Sequence, residues 1–270
     1  MKNKIFSNFD EAVTDVFDGA FIAFSTFGTA STPVNLWEAI YYKDVKDLTV
    51  MGNMVMPIRG ETTNMTAYGP SHCVMQPGKV KKVITGFTSG VYTAGDDSNK
   101  DEFAKALNKC EVIATTFGNI CTHLEAAAAG YGGILTPVGI GTFLEDRMEK
   151  YVIDGKEYLL VKPLVPDFGF VKAQKADKLG NLYYRRGQRV HNPLVAAASK
   201  VTIAEVIEIV EPGEIDPDHI HTPHIYVDRI VKIPKGGKGT PEWDEVSKAL
   251  AYGPRGTARQ RIEVMPGRGM

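Results

Sequence analysis

Residues 25–33, Ser-Thr-Phe-Gly-Thr-Ala-Ser-Thr-Pro, are the stretch of this chain best suited to hold a reacting group. They follow an apolar run of strand length, residues 20–24, and precede a helical pattern over residues 34–42 with Pro33 near its start. Small side chains let main-chain N–H groups approach a bound anion or a carbonyl oxygen, and the start of a helix adds a favourable dipole. A plain turn closed by a capping hydroxyl fits the same residues equally well. Neither GxGxxG nor a Walker sequence occurs, so a nucleotide cradle has little support.

Other groups compete for attention. His219-x-His221-x-x-His224 offers three imidazoles, enough to hold zinc. Pro217 and Pro223 break up that segment, which favours loop histidines, with Asp216 and Asp218 as turn residues. Arg185, Arg186 and Arg189 suit a bound phosphate or, more simply, solvent or a subunit contact; Tyr183-Tyr184 beside them reads as strand packing. The chain's one Glu-x-Gly, Glu211-Pro212-Gly213, reads as a turn. Met51, Met54, Met56, Met65 and Met75 gather around residues 52–60, where adaptable side chains suit an apolar ligand.

The elements that must position these groups alternate in type. Ser7 or Asn8 can cap a helix running to Val16, with Glu11 in its first turn. Apolar strands are expected at residues 20–24, 47–51, 79–84, 111–114, 134–136, 168–173, 201–210 and 225–231. Helices are expected at residues 34–42, 101–108, 121–129 (ended by Gly130) and 192–199 (capped by Asn192, with Pro193 in the first turn). Residues 150–161 read as a hairpin around Asp154-Gly155. This pattern predicts an α/β fold, an open, largely parallel sheet with helices on both faces. In such sheets ligands sit outside the carboxyl ends of strands, which singles out residues 25–33, 52–60 and 115–119.

Composition narrows the classes of function. A hydrophobic content of 43% over 270 residues supports a real core, and a net charge of −1 gives no global field to draw in nucleic acid or a membrane. The charge is uneven: residues 232–270 carry +4, the rest about −5, so the tail is a docking arm or a solvated extension. Cys73, Cys110 and Cys121, odd in number and without CxxC spacing, argue for reduced thiols. No apolar run reaches 18 residues and no signal-peptide pattern opens the chain, so a cytoplasmic location is expected.

Several blocks, taken in order, resemble the α subunit of family I coenzyme A transferases. Phe27, Gly28, Pro33 and Asn35-Leu36 match that family's first glycine loop, although Ser25, Thr26 and Ser31 replace three of its glycines. Asn53 stands where the family commonly has Asn. Residues 136–142, Thr-Pro-Val-Gly-Ile-Gly-Thr, residues 172–182, Asn192-Pro193 and the closing segment 201–231 continue the likeness. The resemblance implies a transferase domain over residues 1–232 and a basic extension over 233–270. It implies transfer of CoA between an acyl-CoA and a carboxylic acid, with a coenzyme A thioester as substrate and no permanently bound cofactor. The attacking glutamate would belong to a homologous β subunit, in an α2β2 assembly, and form a glutamyl–CoA thioester there. This chain would contribute substrate contacts from Ser25, Thr26, Phe27, Gly28, Ser31, Asn53, Phe117, Gly118 and Asn119, and no metal. Phe117 departs from the family's Gln, and that departure leaves open a CoA-linked ring-ketone hydrolase of the same fold. A non-catalytic CoA-ester-binding subunit is the other alternative.

Overall fold

Strands that are apolar on both faces must be covered on both sides, and this chain meets that demand with two groups of helices. The computed structural model describes residues 3–26, 31–55, 69–87 and 98–240. The first half comprises β1 (Ile5–Phe6), α1 (Phe9–Ala12), β2 (Phe21–Phe24), α2 (Val34–Tyr42), β3 (Leu48–Met51), α3 (Pro70–Met75), β4 (Val80–Thr85), α4 (Ser98–Leu107) and β5 (Glu111–Ala114). The second comprises α5 (Phe117–Ala129), β6 (Ile134–Thr136), β7 (Lys150–Ile153), β8 (Lys156–Val161), β9 (Phe168–Asp177), β10 (Leu182–Tyr183), α6 (Asn192–Ala198), β11 (Val201–Val210) and β12 (Arg229–Lys232). Among the described residues no helix is long and apolar enough to cross a membrane.

The main sheet runs β1-β12-β11-β9-β2-β3-β4-β5, parallel throughout, with β10 antiparallel on β9. From β2 the chain steps outward through β3 and β4 to β5, and from β9 it steps the opposite way to β11. Right-handed crossovers in opposite directions put their helices on opposite faces. Accordingly Leu36, Trp37, Cys73 and Phe103 of α2, α3 and α4 pack with Phe24 and Phe170 on one face. Ile120, Leu124 and Val195 of α5 and α6 pack with Ala23 and Val171 on the other. Between β2 and β9 the winding reverses, and the crevice at their carboxyl ends is where sheets of this kind take ligands. β2 stops at Phe24, paired with Phe170, while β9 and β11 continue side by side to Asp177 and Val210. That overhang, about 20 Å of extended chain, walls one side of the crevice.

A buried carboxyl group pins this arrangement. Glu205 of β11 is fully buried and accepts from the N–H groups of Asn35 (2.9 Å) and Leu36 (3.2 Å) at the start of α2, and from the Asn35 carboxamide. Lys172 lies opposite Glu205 on β9, and its ammonium reaches toward Gly239, whose φ of +82° favours glycine. At the other end of α2, the Lys79 ammonium donates to the carbonyls of Ile40, Tyr41 and Lys43, which a helix end leaves without partners.

Several expectations need correction. α1 ends at Ala12 rather than Val16, because Thr14 and Val16 turn back to Glu11 and Val13 in tighter bonds along a β-branched stretch. α5 starts at Phe117, a turn earlier than expected, because the Thr116 hydroxyl caps the Asn119 N–H. His191, not Asn192, occupies the cap position of α6; the Asn192 carboxamide instead clamps Lys172 N and O of β9. β12 begins at Arg229, since residues 224–226 form a 3-10 turn after Pro223. The 150–161 hairpin pairs with β6 into a separate three-stranded antiparallel sheet that the pattern of apolar residues did not announce.

Glu205→Ala would leave two helix N–H groups without their acceptor and Lys172 without the group opposite it, and should cost about 3–5 kcal/mol, read as a lowered urea midpoint. Burial pushes the Glu205 carboxyl from 4.5 up to about 7, against the pull of Lys172, the Leu36 N–H and the Asn35 donors. The native state therefore holds a proton that the unfolded chain releases over that window. The residue's contribution to stability is full below pH 4.5 and declines as pH rises through 7, a decline that Glu205→Gln should remove.

Candidate functional site

Ser25 and Thr26 leave β2 fully buried, at the point where the winding of the sheet reverses. Alternation along extended chain sends them to opposite faces. Thr26 goes with Ile22 and Phe24 toward α2, where its Oγ1 accepts from Thr32 at 3.2 Å. Ser25 follows Ala23 toward α5 and α6. Ser31 and Thr32 are equally buried. Beyond β3, Asn53 is 1% exposed, and its backbone carbonyl accepts from the Gly86 N–H (3.2 Å) and the Thr85 hydroxyl (3.0 Å). A Cβ at Gly86 would lie 2.6 Å from the Asn53 Oδ1 and 3.5 Å from the Phe117 N. The ends of β3 and β4 and the start of α5 thus converge on one point that only glycine permits.

Two helices complete the set. Asn119, the third residue of α5, has its N–H on the Thr116 hydroxyl and its carboxamide buried at 1% exposure. His191, at the cap of α6, meets the Phe117 ring edge-on, with centroids 5.1 Å apart and planes at 84°. The next residue, Asn192, is bonded to Lys172 on β9, two residues beyond the last residue of β9 that pairs with β2.

The polar atoms gathered here are unusual for an interior. The Ser25 hydroxyl, both polar atoms of the Asn53 and Asn119 carboxamides and both ring nitrogens of His191 are buried without a hydrogen-bond partner among the described residues. Folded proteins leave few such groups, and each costs about 1–3 kcal/mol. All four side chains are uncharged; burial lowers the His191 imidazole to about 4, so it is neutral at pH 7. Such a set can donate hydrogen bonds to a carbonyl oxygen or an oxyanion, but it contains no carboxylate to attack one.

Of the candidates read from sequence, Ser25, Thr26, Ser31, Asn53, Phe117, Gly118 and Asn119 all lie along the carboxyl edge of the sheet. Phe27 and Gly28 lie outside the described residues. One expectation is corrected: the start of α2 does not offer its dipole to a ligand, because the Asn35 and Leu36 N–H groups are taken by Glu205. His191 escaped the sequence reading; a histidine before Asn192-Pro193 becomes informative only once Phe117 is seen against it. Arg185, Arg186 and Arg189 are exposed. His221 accepts from the Tyr184 N–H and stacks on Tyr183 and Tyr184, while the His224 N–H donates to Asn181, so these two hold a loop together. Glu211 is exposed in its turn and paired with Lys178. A hollow of about 600 Å³, lined by residues 41–47 and 76–79, lies at the amino ends of β3 and β4, across the sheet from the polar set.

Comparison with known proteins agrees with this architecture. The profile of the Coenzyme A transferase family matches residues 6–233. The A-type subunit of succinyl-CoA:3-ketoacid coenzyme A transferase from Helicobacter pylori (strain J99) is 36% identical over 231 residues, which cover 85% of this chain and 92% of that protein. The A-type subunit of 3-oxoadipate CoA-transferase from Pseudomonas putida is 36% identical over 233 residues, 86% of this chain and 95% of that protein. The crystal structure of glutaconate coenzyme A-transferase from Acidaminococcus fermentans has the same fold, with a TM-score of 0.72 at 19% identity, over 97% of this chain and 93% of that one.

The buried imidazole makes a stability prediction. His191 takes up a proton near 6.5 in the open chain but only near 4 in the fold. Stability should therefore fall as pH drops from 6.5 toward 4, by at most roughly 3 kcal/mol from this residue. His191→Gln should flatten that limb in urea titrations at pH 4.5 and 7; an unchanged limb would show that the ring protonates freely in the fold.

Proposed function

This chain belongs to the coenzyme A transferase family, and from that membership we propose that it is the α-type half of an enzyme that moves CoA between an acyl-CoA and a carboxylic acid. One observation carries the reading. Along the carboxyl edge of the sheet, from the end of β2 to the start of α5, lie buried, uncharged groups of Ser25, Asn53 and Asn119, and none of the groups in that set is a carboxylate. It is a wall for an acyl-transfer reaction whose nucleophile comes from elsewhere.

On this reading a homologous β subunit completes the site, in an α2β2 assembly. Its glutamate attacks the thioester carbonyl carbon, the carbonyl oxygen becomes an oxyanion, and the C–S bond then breaks to release CoA thiolate and leave an acyl–glutamyl anhydride. The thiolate attacks the glutamyl carbonyl, expels the first carboxylate and forms a glutamyl–CoA thioester; the second acid takes the CoA by the reverse steps. The Nδ2 groups of Asn53 and Asn119 supply hydrogen bonds that strengthen as negative charge develops on the oxygen. Ser25 and the backbone around Gly86 and Gly118 shape the same wall, and Thr26, Phe27, Gly28, Ser31 and Phe117 belong to the same proposed set of substrate contacts. The substrate is the coenzyme A thioester itself, and the chemistry calls for no permanently bound cofactor. A cytoplasmic location, a transferase domain at 1–232 and a basic extension at 233–270 belong to the same proposal.

The lone chain should show no CoA transfer, and co-purification with the β subunit should restore it. In that complex Asn53→Ala and Asn119→Ala should each lower kcat about 100-fold with little change in KM. Turnover by the lone chain would contradict the reading, and release of free acid without an acceptor would point to the hydrolase instead.

A further inference from the structure

His191 is the one member of the buried polar set that the transfer chemistry above does not use. It is 1% exposed, both ring nitrogens are without a partner among the described residues, and its side chain makes no capping bond to α6. It shares a face of the sheet with Ser25 and Asn119, since α5 and α6 pack together over Ala23 and Val171. Phe117 packs edge-on against the ring, and the Asn192 clamp ties the next residue to β9.

We propose that His191 is a specificity-determining residue that hydrogen-bonds an uncharged oxygen, a hydroxyl or a keto group, on the acyl chain of the substrate. The inference rests on the transferase reading, which places the thioester carbonyl at Asn53 and Asn119. The CoA moiety is too large for a buried wall and must leave toward solvent, so a group beyond the carbonyl in the interior meets the acyl chain. The ring of a neutral histidine carries one N–H and one lone pair, which together suit a hydroxyl, and the N–H alone suits a ketone. A carboxylate at this position would need a cation. Arg185, Arg186 and Arg189 are exposed, and Lys172 lies on the α2 side opposite Glu205. Phe117, which lies against the ring, is apolar, so the position favours a neutral oxygen beside an apolar carbon chain.

The test uses the complex with the β subunit and matched probes: hexanoyl-CoA and its hydroxy- and oxo-substituted analogues at successive carbons. The wild-type complex should prefer one of the oxygenated thioesters. His191→Phe, which keeps an aromatic ring but offers no hydrogen bond, should lower the oxygenated-to-plain ratio of kcat/KM about 10- to 100-fold, and His191→Gln should recover part of it. Absence of any preference in the wild type, or an equal loss for both classes in His191→Phe, overturns the proposal. A complex labelled with ¹⁵N-histidine separates this inference from the reaction itself. If no thioester supports transfer, the transferase reading fails. His191 ring signals that shift with oxygenated thioesters and not with hexanoyl-CoA would still uphold the contact, and signals that stay still would overturn it.

Discussion

A single buried carboxyl group sets the geometry from which the rest of the crevice follows. Glu205 reaches from β11 to the first N–H groups of α2 and to the Asn35 side chain, whose carboxamide also donates to the carbonyl of Lys238. It thereby joins the strand pair β9–β11, the helix that follows the first loop and the segment after β12. A carboxyl at a helix start is favourable because it meets both the free N–H groups and the dipole. Its position inside the protein also means that this helix start holds an internal ligand and has no capacity left for an external one.

The two faces of the crevice consequently differ in kind. Toward α2, the polar groups are closed on each other: Glu205 on α2, Thr32 on Thr26, Lys79 on the far end of the helix. Toward α5 and α6, the polar groups of Ser25, Asn119 and His191 are buried and open. The reversal of winding between β2 and β9 creates the gap, and the overhang of β9 and β11 gives it a wall. Catalytic preorganisation needs donors that are held without being satisfied by the protein itself, and only the second face meets that condition.

Much of this was legible from the chain. Residues 34–42 and 201–210 match α2 and β11 to the residue, because long apolar runs with clear turn residues on either side leave little freedom. Residues 25–26, 52–55 and 115–116 follow β2, β3 and β5 as expected, while residues 27–30 and 56–60 of the expected loops lie outside the described residues and residues 117–119 belong to α5. What escaped depended on contacts distant in sequence. Nothing in the run Val201–Val210 distinguishes Glu205 from a solvent-facing residue until α2 is laid over it. His191 looks like one more loop residue until Phe117 is seen against its ring. The start of α5 was missed because Thr116 caps a turn, Phe-Gly-Asn, whose own helix propensity is poor. The Asp177-x-x-Gly180-Asn181 block, read as a family signature, has a plain physical cause: the Asp177 carboxylate accepts from three successive N–H groups around a glycine at φ +110°.

The central claim is that this polypeptide supplies the donors of a shared pocket and its mate supplies the carboxylate that becomes acylated. The most direct measurement is to incubate the complex with acyl-CoA, reduce the trapped glutamyl thioester with borohydride, and locate the resulting alcohol by peptide mass spectrometry. The modified residue should lie on the β subunit, with every glutamate of residues 1–270 unaltered. A reduced glutamate within this chain would contradict the claim.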